Sequence, residues 1–178
     1  MGNGRDVGVT LTTDAGLTLG VYAGEREAIK STIDTEAAHY DQFDGTWFAK
    51  YSAGPVSIGF QQSYLNAGGT GGGEATTAAK VVRTAGGIFE ETQMSIAFNV
   101  NDNVSISYTD SEDVYDSQGD VTAGTTNGDV SMDTEMVQIS YSMGGMSIKA
   151  YQIETTNPTW DSNATAISAS EISIGLAF

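Results

Sequence analysis

The residues able to support hydrolytic or redox chemistry are few in this chain and form no catalytic pattern. His39 is the single histidine, close to Asp41, and cysteine is absent. A thiolate zinc site, a cysteine nucleophile and a disulfide framework are therefore excluded. Neither the HExxH pattern of zinc proteases nor the GxSxG pattern of serine hydrolases occurs. The sequence thus predicts no catalytic residue, no enzyme activity and no cofactor.

Two further segments have the composition of a ligand-binding loop but lack its spacing. The glycine-rich run 68–73 is not followed by the Lys-Ser or Lys-Thr of a phosphate-binding loop, because Lys80 precedes Val81. The acidic run 110–120 lacks the spacing and the closing Glu of a calcium-binding EF-hand. We interpret both runs as solvated loops and predict no metal site. Loose binding of divalent cations by the acidic residues is the alternative.

The length and charge of the chain bound its class further. It has 178 residues, the size of one domain, with 7 Lys+Arg against 23 Asp+Glu and a formal net charge of -16. A field of that sign repels phosphate backbones, so nucleic acid is excluded as a partner. No window holds 18 consecutive apolar residues, so the sequence predicts no transmembrane helix.

Apolar and polar residues alternate with a period of two along most of the chain. This pattern is typical of β-strands. The C-terminal segment is the clearest example, because Ile172, Ile174, Leu176 and Phe178 share one parity. The alternation predicts nine strands at 5–13, 16–25, 46–53, 56–65, 91–100, 103–111, 135–143, 146–155 and 168–178.

The connections between these strands alternate between short and long. Four short turns are predicted at 14–15, 54–55, 101–102 and 144–145. The four long connections are predicted to contain 19 of the 23 acidic residues, with only Asp6 and Glu171 inside strands and none on the apolar parities. Short turns at one end and long loops at the other are typical of a transmembrane barrel. The fold class predicted is all-β, an antiparallel up-and-down meander of about nine strands. A soluble β-sandwich with one wet face is the alternative.

The terminal segment Ser170–Phe178 and the hairpins 94–109 and 137–151 resemble the C-terminal half of a Gram-negative general porin of the marine alphaproteobacterial type. In that family an aromatic residue, usually Phe, ends the chain after alternating apolar residues. The outer-membrane assembly machinery reads this signal. Ile172, Ile174, Leu176 and Phe178 match it.

The resemblance implies a single porin-like β-barrel domain over residues 1–178, lacking the N-terminal half of a 16-stranded barrel. This also explains why Met1–Asp6 does not begin a signal peptide. The implied location is the cell outer membrane, with outer-membrane lipid as a partner and a homotrimer as the complete assembly. The implied function is passive diffusion of small hydrophilic solutes and ions.

If the apolar parity faces lipid, the opposite parity lines the lumen. The pore-lining candidates on that parity are Lys50, Lys149, Gln61, Gln138 and Glu171. In porins, basic wall residues face an acidic constriction loop, and the resemblance suggests Lys50 and Lys149 for that wall. The alternative is that both lysines are solvated in a water-filled lumen and have no role in selecting solutes.

A second functional class also fits the pattern. Strands two to nine would make a small eight-stranded outer-membrane barrel with a structural or adhesion role. Side chains fill the interior of a barrel of eight strands, so such a protein has no channel.

Overall fold

The computed structural model of the protein describes residues 3–27, 41–66, 87–116 and 129–177. These residues form nine strands and one short 3-10 turn at Pro158–Trp160. No helix within these four ranges is long and apolar enough to cross a bilayer. The strands are β1 (Gly4–Thr12), β2 (Leu17–Arg26), β3 (Gln42–Ala53), β4 (Val56–Asn66), β5 (Ile88–Asn99), β6 (Val104–Asp116), β7 (Val130–Met143), β8 (Met146–Thr156) and β9 (Ile167–Leu176).

The nine strands form one sheet in chain order, and every neighbouring pair is antiparallel. The all-β antiparallel meander predicted from the sequence is therefore confirmed. Among the described strands, β1 pairs only with β2 and β9 pairs only with β8, so both are edges of the sheet. Because the strand number is odd and directions alternate, β1 and β9 run in the same direction.

Tight turns join the strands at one end of the sheet, as predicted. β3 and β4 are connected by Gly54-Pro55, and β7 and β8 by Gly144-Gly145. The first glycine of each turn has a positive φ of 57°. A two-residue hairpin turn with glycine at its first position needs this conformation. In the β5–β6 turn, the Asn101 side chain accepts hydrogen bonds from the backbone N–H groups of Asn103 (2.8 Å) and Val104 (3.0 Å). We call the opposite end of the sheet the loop end.

Four strands extend three to five residues further toward the loop end than the sequence pattern predicts. β3 starts at Gln42 rather than 46, β5 at Ile88 rather than 91 and β7 at Val130 rather than 135. β6 ends at Asp116 rather than 111. The ladder of β6 and β7 continues to the pair Tyr115 and Val130. Backbone pairing across this ladder needs no alternation of side chains, so the acidic sequence does not interrupt it.

Directly paired residues lie on the same side of a sheet, so the register divides the side chains into two faces. One face, the apolar face, carries all eight residues predicted to lie together: Val9, Leu19, Ile58, Ile96, Ile106, Ile139, Ile148 and Ile174. Seven of these are exposed, up to 66% for Val9, and Ile148 is half-buried. The opposite face, the polar face, carries mainly Ser, Thr, Gln and Gly.

The described strands form a single layer with almost no interior. Tyr115 (0% exposed) and Val130 (6%) are the only buried hydrophobic residues of the described ranges. A soluble sandwich would bury one face of each sheet against a second sheet. The described strands show no such second layer, so they do not form the predicted alternative of a sandwich.

Most acidic residues of the described ranges lie toward the loop end, as predicted, but the assignment of many of them to loops was wrong. Eleven of them belong to strands: Glu25, Asp44, Glu90, Glu91, Asp110, Glu112, Asp113, Asp116, Asp133, Glu135 and Glu154. The prediction that the apolar parities carry no charge was also wrong, because several of these strand positions lie on the apolar face. The cause is the extension of the strands into acidic sequence.

Candidate functional site

The predicted pore-lining residues all project from the polar face. Lys50 of β3 pairs with Thr18 and Gly59, and Gln61 of β4 pairs with Phe48. In β7, Gln138 stands beside Tyr151 of β8, and Tyr151 stands beside Glu171 of β9. Lys149 of β8 pairs with Ser140 and Ser173.

The register places these residues along the face rather than in one cluster. The strands that carry Lys50 and Lys149 are five positions apart in the sheet. At the usual strand spacing this corresponds to about 24 Å measured along the sheet. Tyr151 donates a hydrogen bond of 3.0 Å from its hydroxyl to Glu171, and Gln61 donates one of 3.1 Å to Ser63. The arrangement is a polar surface with dispersed charges.

Hydroxyl groups of the polar face pair across neighbouring strands. Ser52 and Ser57 approach to 2.8 Å, and Ser105 and Ser140 to 2.7 Å. Three further pairs lie on this face: Thr46 with Ser63 (3.0 Å), Thr134 with Thr155 (3.2 Å) and Thr12 with Thr18 (3.5 Å). A hydroxyl in such a pair keeps acceptor capacity for water. The face is therefore wettable along the length of its strands.

A depression of about 450 Å³ lies over β3 to β6, and Gly59 forms part of its lining. Lys50, Gln61, Gln93 and Ser95 contribute polar side chains to it. The missing side chain of Gly59 leaves room there, because a Cβ at this position would stand 2.7 Å from the Ser95 hydroxyl. The depression is large enough for water and small polar solutes.

Two aromatic rings of the polar face lie over glycines of the neighbouring strand. A Cβ on Gly20 would stand 2.2 Å from Cε1 of Phe48, and one on Gly8 would stand 2.1 Å from Cδ1 of Tyr22. The Tyr22 and Phe48 rings are stacked, with centroids 6.3 Å apart and planes 11° apart. The Tyr22 hydroxyl and Thr10 Oγ1 are 2.5 Å apart. A side chain at either glycine would displace the ring that now occupies this space.

An aromatic corner lies on the polar face at the loop end of β5 and β6, and the sequence reasoning missed it. We define it as Phe89 of β5, Tyr115 of β6 and Trp160 of the 3-10 turn. The ring centroids are 4.9 Å apart for Phe89–Tyr115, 5.1 Å for Phe89–Trp160 and 6.4 Å for Tyr115–Trp160. Offset or tilted rings at such separations attract one another. The sequence signal available for this corner was the turn pair Asn157-Pro158 just before an isolated Trp.

The apolar face presents large side chains with nothing packed over them in the described structure. Ile172, Ile174 and Leu176 of β9 are 73%, 65% and 59% exposed. Phe178, the last residue of the predicted assembly signal, lies outside the described residues.

Aromatic residues of the apolar face concentrate on β3 and β4, with one pair near the middle of the strands and one pair at the loop end. The ring centroids of Trp47 and Phe60 are 5.2 Å apart, and those of Phe43 and Tyr64 are 6.0 Å apart. Trp47 also donates a hydrogen bond of 3.1 Å from Nε1 to Gln62. Rings with one apolar side and one polar group are typical of a membrane interface.

An acidic patch lies on the apolar face of β6 to β8, beyond the apolar residues and nearer the loop end. Asp110, Glu135 and Glu154 are direct neighbours across the three strands, and Glu112 stands opposite Asp133 in the next row. Like charges placed directly opposite destabilise a sheet. Partial burial and the charges of Glu112 and Asp110 raise the pKa of Asp133 above its ordinary value.

The remaining chemistry-bearing segments do not contribute to the described surfaces. His39, the glycine run 68–73 and Lys80 lie outside the described residues. Within the described ranges, no three His, Asp or Glu side chains stand in a geometry suited to a metal ion. No known protein family, curated protein or solved structure matches the chain.

Proposed function

We propose that the sheet forms part of the wall of an outer-membrane porin, which allows passive diffusion of small hydrophilic solutes and ions. In this proposal the polar face lines a water-filled lumen and the apolar face contacts lipid. The observation that carries the proposal is the division of all nine strands into an exposed apolar face and a hydroxyl-rich polar face within a single layer. Transmembrane barrel strands alternate in this way because successive side chains face lipid and lumen.

Strand length and loop placement support a membrane position. The strands contain 9 to 14 residues, and a membrane-crossing strand needs about 9–11. On β4 the apolar face carries Val56, Ile58, Phe60 and Tyr64, interrupted only by Gln62. The Phe43–Tyr64 pair at the loop end then lies where the external lipid head groups begin.

In this proposal the outer boundary of the hydrocarbon on β6 to β8 lies at the acidic patch. On β6 the apolar run from Val104 to Tyr108 measures about 14 Å along the strand, less than the roughly 25 Å apolar band of outer-membrane barrels. We therefore place Asp110 and its neighbours in the head-group region, with the bilayer thinned around these strands. Local thinning is a known response to a short apolar span.

Closure of the barrel requires strands beyond these nine. An antiparallel barrel has an even number of strands, whereas β1 and β9 are parallel edges. Unpaired edges are not tolerated in hydrocarbon, where each unsatisfied backbone group costs several kcal/mol. We propose that an odd number of further strands closes the sheet, seven for the 16-stranded barrel that the porin resemblance implies. Such barrels assemble as homotrimers.

The eight-stranded alternative receives no support from the register. An eight-stranded barrel would require β2 to pair with β9 in place of β1. In the structure, β2 pairs with β1 through nine residues on one side and with β3 on the other. The small and wettable side chains of the polar face also suit a lumen better than a filled interior.

The proposal is tested by conductance of the closed barrel, in which further strands complete the sheet, after its extraction from outer membranes and reconstitution in planar bilayers. We expect stepwise single-channel openings. A Lys50→Gln variant should shift the reversal potential in a salt gradient toward cation preference, because it removes a positive charge from the lumen wall. The matched control is Thr156→Glu, which changes the net charge by the same unit but lies on the apolar face at the end of β8. A protein that folds in the membrane without conducting, or equal shifts for both variants, would contradict the proposal.

A further inference from the structure

The connection between β8 and β9 extends over the polar face of neighbouring strands. It does not remain at the ends of β8 and β9. Trp160, four residues after the end of β8, contacts Phe89 of β5 and donates its Nε1 hydrogen bond to Asp113 of β6. These strands are three and two positions away from β8. The indole therefore reaches about 10–14 Å sideways from its own strand.

Two side chains fix this connection at separate points. Asn157 donates from Nδ2 to the backbone oxygen of Ser131 (2.9 Å), and Trp160 donates from Nε1 to the backbone oxygen of Asp113 (2.9 Å). Beyond them, Asp161 accepts a hydrogen bond of 2.9 Å from the Asn163 backbone N–H, and this bond closes the following turn. The segment 157–163 is thus held against the sheet by side-chain bonds to β6 and β7.

The ring contacts place this segment over the polar face, which lines the lumen in the proposed porin. Phe89 and Tyr115 belong to the polar face at its loop end, and Tyr115 is fully buried in the aromatic corner. Three residues of the segment, Asn157, Thr159 and Trp160, have positive φ values of 47°, 62° and 55°. For residues other than glycine this conformation is costly, so the anchoring contacts must hold it.

We propose that Trp160 determines the size limit of the pore: it fastens segment 157–163 across the polar face, and the fastened segment narrows the loop-end mouth of the lumen. This inference rests on the proposed porin function. It assigns a specificity role to a residue far from the predicted wall lysines. The solutes excluded are the larger hydrophilic ones. The reason is that the segment reduces the width of the lumen at its mouth and leaves the hydroxyl-rich wall unchanged.

The first test is the exclusion limit for neutral polyethylene glycols in planar bilayers. Trp160→Ala should raise both the single-channel conductance and the largest polymer that enters. Trp160→Phe is the matched control, since it keeps a ring beside Phe89 but loses the hydrogen bond to Asp113. Its polymer exclusion limit should lie between those of the wild type and the Ala variant. Identical limits in all three proteins would overturn the inference while leaving the porin function intact.

The second test does not depend on folding of the Ala variant. The chain contains no cysteine, so Thr159→Cys introduces a single thiol on the exposed part of the segment. A bulky water-soluble thiol reagent should then lower the conductance. The control, Glu154→Cys, lies five residues earlier on the apolar face and should not respond. No loss of conductance at Thr159→Cys would overturn the inference. A wild-type protein that does not conduct would overturn the proposed function and this inference with it.

Discussion

The indole of Trp160 donates a 2.9 Å hydrogen bond to the backbone oxygen of Asp113, 47 residues earlier in the chain and two strands away in the sheet. The bond ties the β8–β9 connection to the loop end of β6, where Tyr115 is the only described large side chain that is completely buried. This aromatic corner is the nearest approach to a core in a sheet that otherwise exposes its apolar residues. It therefore combines a structural role with a position at the mouth of the proposed lumen.

Gly20→Ala should destabilise the sheet because the new Cβ would stand 2.2 Å from Phe48 Cε1. Overpacking of this kind costs about 1–3 kcal/mol. The control is Gly45→Ala in the adjacent strand, where the nearest atom would be 3.6 Å away. The measurement is the urea midpoint of unfolding in detergent micelles.

Combining Gly20→Ala with Phe48→Leu should recover part of the loss, since the smaller side chain vacates the space. Equal urea midpoints for Gly20→Ala and Gly45→Ala would contradict this prediction. They would show that the Phe48 ring can accommodate a Cβ at position 20 without loss of stability.

Asp133→Asn should stabilise the protein near neutral pH by up to about 1 kcal/mol, the range of a cross-strand pair. Burial and the neighbouring carboxylates of Glu112 and Asp110 raise the pKa of Asp133 in the folded state. The folded state therefore holds this proton to a higher pH than the unfolded state does. Stability should fall as pH rises from the unfolded pKa through the raised folded pKa, and the Asn variant should lose this component.

Asp102→Asn, in the β5–β6 turn, is the matched control for Asp133→Asn because it removes one carboxylate away from the acidic patch. Unfolding midpoints across the acidic pH range supply the measurement. A larger gain at Asp102 than at Asp133 would contradict the assignment of repulsion to the patch.

The strands and tight turns were predictable from the sequence because both depend on local features. Alternation identifies strands such as β9, and Gly54-Pro55 and Gly144-Gly145 identify hairpins. The ends of β6 and β7 were not predictable, because ladder pairing through acidic residues is decided by the neighbouring strand. The aromatic corner was missed for a related reason. Its three residues are distant in sequence and meet only through the register of β5 and β6 and the path of the chain over the polar face after β8.

Deletion of Phe178 should reduce insertion into the outer membrane more than it reduces stability. The reason is the resemblance of Ile172, Ile174, Leu176 and Phe178 to the terminal signal that the assembly machinery reads. Phe178→Tyr, which keeps an aromatic end, should insert nearly normally. Quantification of folded protein in outer-membrane fractions checks both variants, and normal insertion of the deletion variant would remove the argument for such a signal.

Residues 1–178 expressed alone and refolded in detergent should not give a stable conducting monomer. Both edge strands of the described sheet, β1 and β9, present unpaired backbone groups. Exposed edges pair with other chains, so we expect association instead. Light scattering of the detergent complex gives the mass, and bilayer recording gives the activity. A conducting monomer would show that nine strands suffice, whereas a stable silent monomer would favour the eight-stranded barrel.

The most direct test of the central claim is the labelling of adjacent residues in β7 of the protein reconstituted in bilayers. Gln138 lies on the polar face and Ile139 on the apolar face. Residues 1–178 contain no cysteine, so Gln138→Cys and Ile139→Cys each provide the single thiol of this stretch. A charged water-soluble reagent should react with the thiol at 138 and lower the conductance, while the thiol at 139 should react only with a lipid-soluble reagent. Equal reaction of both thiols with the water-soluble reagent, or no effect of labelling at 138 on conductance, would contradict a lumen lined by the polar face.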